Sequence, residues 1–294
     1  MINVYDTILS DPAYFKQLSV KNTLWVNYQC PQVVDWAELY SPLNFVIYTI
    51  SGRKALHSPG QSLELTEGSL VFLKKGAIRH KKFFDEVWNV VVFCIPDSYL
   101  QQSLKEYRSQ MLINPLSEPL QEAFMPVATN NATNAFFYSL LPYFTQVPPA
   151  PENLLELKFR ELIFNILSHP ANTALIGYID KICNSKKAGL IETMESNYLY
   201  NLSLEEFAKI NQRSLTAFKR DFMEAFHTSP GRWLIQRRLQ YAETLLTGSE
   251  KNVNEISYES GFETAAHFSR LFKQKFNIPP LKYRKQVMAG RLQH

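Results

Sequence analysis

One block of this chain is written twice. Ser214, Phe218, Arg220, Phe222, Phe226, Pro230 and Trp233 recur fifty positions on, without a gap, as Thr264, Phe268, Arg270, Phe272, Phe276, Pro280 and Tyr283. Five of the seven pairs are identical; the others exchange hydroxyl for hydroxyl and aromatic for aromatic. Fifty residues is short for a domain, so the copies read as subdomains of one module. One arginine at a fixed place in each copy points to a single surface used twice, and DNA is the common ligand with a periodic face.

The charge is divided in the same way. Residues 1–185 carry 14 Lys+Arg against 16 Asp+Glu, and residues 186–294 carry 17 against 11, so a net of −2 faces a net of +6. The positive excess sits with the duplicated half, as a polyanion-binding module requires. Cys30, Cys94 and Cys183 are odd in number and widely spaced, which argues against a disulfide framework or a zinc cluster and for a reducing compartment. Cys94, inside the run Val90–Ile95, reads as a buried small hydrophobe. The N-terminus MINVYDTILSDP has no basic segment ahead of an apolar one, and no apolar run approaches the ~20 residues of a membrane span. A cytoplasmic protein without membrane contact is expected.

In the first copy Ser203 reads as an N-cap, with Glu206 completing a capping box before Leu204, Phe207 and Ala208. After the break Asn211-Gln212-Arg213, Ser214 caps a second helix whose Leu215, Phe218, Phe222, Ala225 and Phe226 share one face. Thr216 and Arg220 fall opposite, with Lys219 at the flank. In the second copy Gly261 ends a short helix bearing Ile256 and Ser257, and Thr264 caps a helix with Phe268, Leu271, Phe272 and Phe276 inward. Ala266 and Arg270 lie outward, with His267 and Lys273 nearby. Each copy is thus laid out as a helix-turn-helix. Gly231–Thr247, stopped by Gly248, reads as a rigid spacer helix of roughly 25 Å at ~1.5 Å per residue. Successive major grooves lie ~34 Å apart, which such a spacer can serve.

The segments SLTAFKRDF (214–222), TSPGRW (228–233), RLQYAETLL (238–246), GFETAAHFSRLFKQKF (261–276) and PPLKYR (279–284) closely resemble the DNA-binding module of AraC/XylS-type bacterial transcription regulators. The resemblance covers the C-terminal ~105 residues and implies seven helices, two helix-turn-helix subdomains and a connecting helix. By position it implies DNA contacts from Ser214, Thr216, Lys219 and Arg220 in the first copy and from Thr264, Ala265, Ala266, His267, Arg270 and Lys273 in the second. Ser257 departs from the family's buried alanine, although a serine there can bond back to its own helix. The partners implied are double-stranded promoter DNA and RNA polymerase, and no cofactor is implied.

Residues 22–95 alternate β-rich runs (Leu24–Tyr28, Phe45–Ile50, Ser62–Thr66, Leu70–Leu73, Val87–Ile95) with turn signals at Ser51-Gly52, Ser58-Pro59-Gly60, Glu67-Gly68 and Lys75-Gly76. LELTEGSLVFLKKG (63–76) resembles the cupin-type barrel that precedes the DNA module in many members of this family. Cupin enzymes hold a metal through His-x-His, a glutamate and a later histidine. Here His57 is followed by Ser58-Pro59, Arg79 stands near the last ligand's place with His80 one step on, and Glu64 alone makes no site. His57 and His80 therefore read as surface or structural residues, and no catalytic residue or metal site is expected. Phe45, Tyr48, Phe72 and Phe93 are the expected barrel interior.

Beyond the barrel, Asn114–Pro119 and Gln146–Pro151 read as connections and Glu152–Ser168 as a helix. Its seam Leu155, Phe159, Leu162 and Ile166 is expected to pair with a twin in a homodimer, the competing reading being that it packs on its own barrel. LKFRELIFNIL (157–167) followed by Ser168-His169-Pro170 resembles the matching helix of the type III secretion master activators, which are controlled through protein partners. Ser185–Ala188 reads as the hinge.

The expected architecture is therefore α+β with two domains: a cupin-like β domain at 1–110, a helical dimerisation or regulatory segment at 111–184, and an all-α double helix-turn-helix at 186–294. The expected function is sequence-specific transcription regulation, with activation as its sign and control by an unknown small-molecule effector or protein partner. A cupin-type metal enzyme tethered to DNA is the alternative, disfavoured by the missing ligands. A DNA-repair alkyl acceptor is disfavoured because no cysteine reads as having the basic surroundings that lower a thiol pKa.

Overall fold

The computed structural model describes residues 1–30, 35–83, 86–110, 122–184 and 186–291. Its strands are β1 (Ile2–Asn3), β2 (Lys16–Val20), β3 (Thr23–Gln29), β4 (Trp36–Ser41), β5 (Asn44–Ser51), β6 (Lys54–Ser58), β7 (Gln61–Leu65), β8 (Leu70–Leu73), β9 (Gly76–Lys82), β10 (Asn89–Ile95) and β11 (Phe124–Pro126). Its α-helices are α1 (Val4–Ser10), α2 (Asp97–Gln110), α3 (Asn131–Leu140), α4 (Glu152–Ser168), α5 (Thr173–Asn184), α6 (Lys186–Asn197), α7 (Leu204–Ile210), α8 (Leu215–Phe226), α9 (Pro230–Gly248), α10 (Val253–Glu259), α11 (Ala265–Phe276) and α12 (Pro280–Arg291). The chain divides into Met1–Thr193, rich in sheet, and Met194–His294, helical.

The first unit holds two sheets, ordered β1-β4-β9-β6-β7 and β11-β8-β5-β10-β3-β2. All pairings are antiparallel except β1 with β4. The expected barrel is not closed: among the described residues β1, β7, β11 and β2 each have one neighbour, whereas closure requires two for every strand. A sandwich results, with Leu24, Val26, Phe45, Ile47, Val71, Val92 and Cys94 of the larger sheet meeting Leu56, Leu65 and Ile78 of the smaller.

The larger sheet is buried on its other face as well. Trp25, Val46, Tyr48, Phe72, Val91 and Phe93 pack under α2, α3, α4 and α5 through Leu100, Phe137, Phe159, Leu162 and Tyr178. Burial on both faces accounts for the unbroken apolar run of β10, since neither parity of side chains meets water. It also corrects the expected barrel interior. Phe45 lies between the sheets, but Tyr48, Phe72 and Phe93 point to the helical side. Nor do 1–110 and 111–184 form separate cores: strands and helices share one.

The seam of α4 belongs to that shared core. Leu155, Phe159, Leu162 and Ile166 are at most 4% exposed, and Phe159 stacks on Phe93 at 5.3 Å between ring centres, with Trp25 at 5.4 Å. Side chains so enclosed by their own sheet cannot also meet a twin, so the expected dimer contact is replaced by intrachain packing. The exposed apolar residues of α4 are Leu154 and Leu157 instead.

The division between units falls inside α6 rather than at the expected hinge, of which Ser185 lies outside the described residues, as does Asn114–Pro119. Its first turns are tied to the sheet by a buried ion triad. The Glu192 carboxylate accepts from Lys74 Nζ at 2.8 Å and from Lys181 Nζ at 2.5 Å. Burial opposes ionisation of Glu192, but the two ammoniums prevail and hold its pKa below the usual carboxylate value.

Phe159→Ala is expected to lower the stability of the first unit by about 3–5 kcal/mol, the usual cost of emptying an enclosed aromatic site. Chemical denaturation checks this. Unchanged stability with a changed oligomeric state would return the seam to an interface between chains.

Candidate nucleic-acid interface

The duplication extends further back than the aligned block. α7 and α10 both begin on a capping box, Ser203 with Glu206 and Asn252 with Glu255, forty-nine positions apart. Both end on a left-handed residue, Gln212 at φ 54° and Gly261 at φ 80°. In each, an amide reaches back five residues, Arg213 N–H to Ala208 O and Phe262 N–H to Ser257 O, both at 3.0 Å. The second turn then holds one more residue than the first, and from the next caps onward the offset is fifty. Ser257 is fully buried and its hydroxyl donates to Asn254 O at 2.9 Å, so it satisfies itself within its own helix.

The two second helices are built alike. Ser214 Oγ accepts from Ala217 N–H and Thr264 Oγ1 from His267 N–H. Phe218 and Phe222, like Phe268 and Phe272, are fully buried. Phe226 stacks on Phe222 at 4.2 Å and Phe276 lies tilted against Phe272 at 4.3 Å, and Trp233 and Tyr283 close each cluster at 5.5 and 5.3 Å. Left-handed caps, His227 and Asn277, end both helices.

With the aromatic face inward, Ser214, Thr216, Lys219 and Arg220 are exposed on the first copy. Thr264, Ala266, His267, Arg270 and Lys273 are exposed on the second, and Ala265 is half-buried. Arg220 is 75% exposed and donates to Asp221, which also pairs with Arg213. Other arginines of this unit are used internally. Arg238 donates to the Tyr198 and Tyr200 carbonyls at 2.6 and 2.8 Å, and burial brings its pKa down to about 10. Arg284 donates to the Leu246 and Lys251 carbonyls. The net charge of the segment therefore overstates the cation count on its surface. The spacer helix α9 includes Gly248 as its last residue, and Ser249 rather than the glycine caps it.

Outside this unit, of the two histidines expected to be surface or structural, His80 is buried and His57 lies beside Ser62 Oγ at 3.1 Å. Arg79 pairs with Glu38, and Glu64 stands 3.8 Å from Arg53. Cys30 does have a basic neighbour, Lys54 Nζ at 3.1 Å, brought there by strand pairing rather than by sequence adjacency. Lys54, His80 and Lys82, absent from the residues singled out by sequence, face inward together; the signal was their shared parity on β6 and β9.

Gly261 is fixed twice over. Its φ is 80°, and an added Cβ would lie 2.8 Å from Leu199 O. Gly261→Ala is expected to cost the second unit about 2 kcal/mol or more, whereas Gln212→Gly at the matching turn changes stability by under about 1 kcal/mol. Thermal unfolding of the two variants checks the contrast, and equal effects would contradict it.

Comparison with known proteins follows the same division. Residues 44–178 match the ExsA N-terminal regulatory domain, and residues 207–286 match a helix-turn-helix domain. The chain is 25% identical over 245 residues to the thermoregulatory protein LcrF of Yersinia pestis, covering 82% of this chain and 88% of LcrF. A virulence regulon transcriptional activator, VirF of Yersinia enterocolitica, is 24% identical over the same shares. The HTH-type transcriptional regulator ExsA of Pseudomonas aeruginosa is 29% identical over 134 residues, 46% of this chain and 48% of ExsA. With an ExsA-type domain on one side of the division and the paired helix-turn-helix on the other, the chain belongs to the AraC/XylS-type transcription regulators.

Proposed function

We propose that the chain binds promoter DNA through α8 and α11 and activates transcription under control of its N-terminal unit. The carrying observation is the matched construction of two outward basic faces, each fixed by a cap, a left-handed end and an aromatic cluster. Arg220 and Arg270 are suited to fork onto guanine or grip phosphate, and Ala266 to meet a thymine methyl. Ser214 and Thr264 place hydroxyls and free amides at the helix starts, where phosphate is favoured. Lys219 and Lys273 add cationic contacts and His267 a ring N–H, with Thr216 and Ala265 beside them. Activation is the sign suggested by the transcriptional activator VirF, and RNA polymerase is the partner through which an activator acts.

For control, a small molecule or a protein acting on the first unit fits the ion triad that ties α6 to the sheet, because α6 leads directly into the DNA module. No helix among the described residues is long and apolar enough to cross a membrane.

Arg220→Ala and Arg270→Ala are each expected to weaken binding to a selected operator by about 1–3 kcal/mol and to relax preference at one base position. Binding by the parent should fall steeply with salt as phosphate contacts release counterions. Fluorescence anisotropy on single-base operator variants measures both. An equal loss on every sequence would show that these arginines grip only the backbone.

A further inference from the structure

Lys54 is out of place in the smaller sheet. It pairs opposite Lys82, as Leu56 does opposite His80, and this parity faces the larger sheet, where strand residues are ordinarily apolar. Lys54 is 3% exposed, with the Trp88 ring at 4.0 Å, and among the described residues no carboxylate pairs with it. A buried ammonium without a counter-ion opposes folding. Burial brings its pKa down to about 8, so about a tenth of the amine is uncharged at pH 7.

What Lys54 touches is a thiol. Its Nζ donates to Cys30 Sγ at 3.1 Å, inside the ~3–3.5 Å separation of atoms poised to react. Cys30 follows β3 of the larger sheet and Lys54 opens β6 of the smaller, so the pair bridges the two. Cys94 has no such place. It is completely buried, and burial pushes its thiol pKa up. The Cys30 amide donates to Trp88 O at 2.9 Å, and Cys94 stands six residues further along that strand. At ~3.3 Å per residue the separation is roughly 20 Å, past the reach of a disulfide.

Cys30 and Lys54 both line a cavity of about 380 Å³ between the sheets. At about 30 Å³ per water-sized molecule it has ample room for a peroxide. His80 lines it too, 6% exposed, and its buried Nε2 has no hydrogen-bond partner among the described residues. The cavity therefore holds an amine beside a thiol and a hydrogen-bonding nitrogen not committed to the fold. Polar groups set against the local pattern in this way mark functional places.

We propose that Cys30 and Lys54 form a peroxide-responsive modification site, at which oxidation joins Cys30 Sγ to Lys54 Nζ in a sulfenamide bond. Hydrogen peroxide is the oxidant. The Cys30 sulfur takes one peroxide oxygen as the O–O bond breaks; the other oxygen leaves as water, and a sulfenic acid remains. The lone pair of the uncharged Lys54 amine then forms the Sγ–Nζ bond while the S–O bond breaks. The departing hydroxide takes a proton from the nitrogen and leaves as a second water. One peroxide is thus reduced to two waters, and the thiol–amine pair loses two hydrogens. Two equivalents of a small thiol reverse the step. The first attacks sulfur and returns its proton to the amine; the second restores the Cys30 thiol and carries the first away as a disulfide. The bond staples the end of β3 to the start of β6 across the sandwich.

Peptide mass spectrometry of the full chain, treated with hydrogen peroxide and digested without reductant, tests the proposal. The expected result is a linked pair of peptides carrying Cys30 and Lys54, two hydrogens lighter than their sum, which dithiothreitol returns to separate peptides. Lys54→Met is expected to abolish the linked pair and to carry Cys30 on to sulfinic acid at the same peroxide dose. In the parent chain, sulfinic acid at Cys30 with Lys54 unmodified, a disulfide from Cys30 to Cys94 or Cys183, or a link that keeps the oxygen overturns the proposal. So does a Cys30 left reduced by peroxide that oxidises a small-thiol control. These parent outcomes need no variant to fold.

Discussion

Two phenylalanines one turn apart decide which side of each recognition helix water sees. Phe218 and Phe222 in α8, and Phe268 and Phe272 in α11, are buried to the last atom. Turning either helix to hide its arginine would expose a pair of side chains worth about 1.5–3 kcal/mol each in burial. The surface contacts that would resist such a turn are weaker. Arg220 is largely exposed in its pair with Asp221, and such surface pairs contribute about 0–1 kcal/mol. Hydrophobic burial therefore orients the basic faces, and the caps at Ser214 and Thr264 set where each helix begins. The salt bridge is weak enough to give way when Arg220 meets another anion.

The C-terminal unit was almost fully legible in its sequence because its information is local. Caps, breakers and a 3.6-residue period are written within a dozen positions of one another, and the repeat doubles the signal. Even Ser257 was readable as a self-satisfying serine. What the sequence hid there is the internal use of Arg238 and Arg284, whose acceptors are carbonyls about forty residues away. Charge counting cannot separate such a buried guanidinium from one held in water.

The N-terminal unit was legible in part, for a related reason. Strands such as β5 and β10 announce themselves by composition, but a strand buried on both faces has no polar parity to say which side is which. Phe45 and Tyr48 look equivalent in sequence and end in different cores. The α4 seam failed similarly: an apolar stripe states that it will be covered, not by what. The more polar strands β4, β6 and β9 carry weaker signals. Their inward Lys54, His80 and Lys82 became visible only once pairing fixed their parity. The first unit is thus a sandwich with an apolar interior interrupted at one place by charge, and the second is a pair of matched helices aimed outward.

The central claim is that both copies of the repeat engage one DNA duplex at once, and ethylation interference on a selected operator tests it most directly. The account predicts two clusters of essential phosphates about one helical turn, ~34 Å, apart. Lys219→Ala should erase contacts within one cluster and Lys273→Ala within the other. A single cluster, or loss of the same phosphates in both variants, would contradict it.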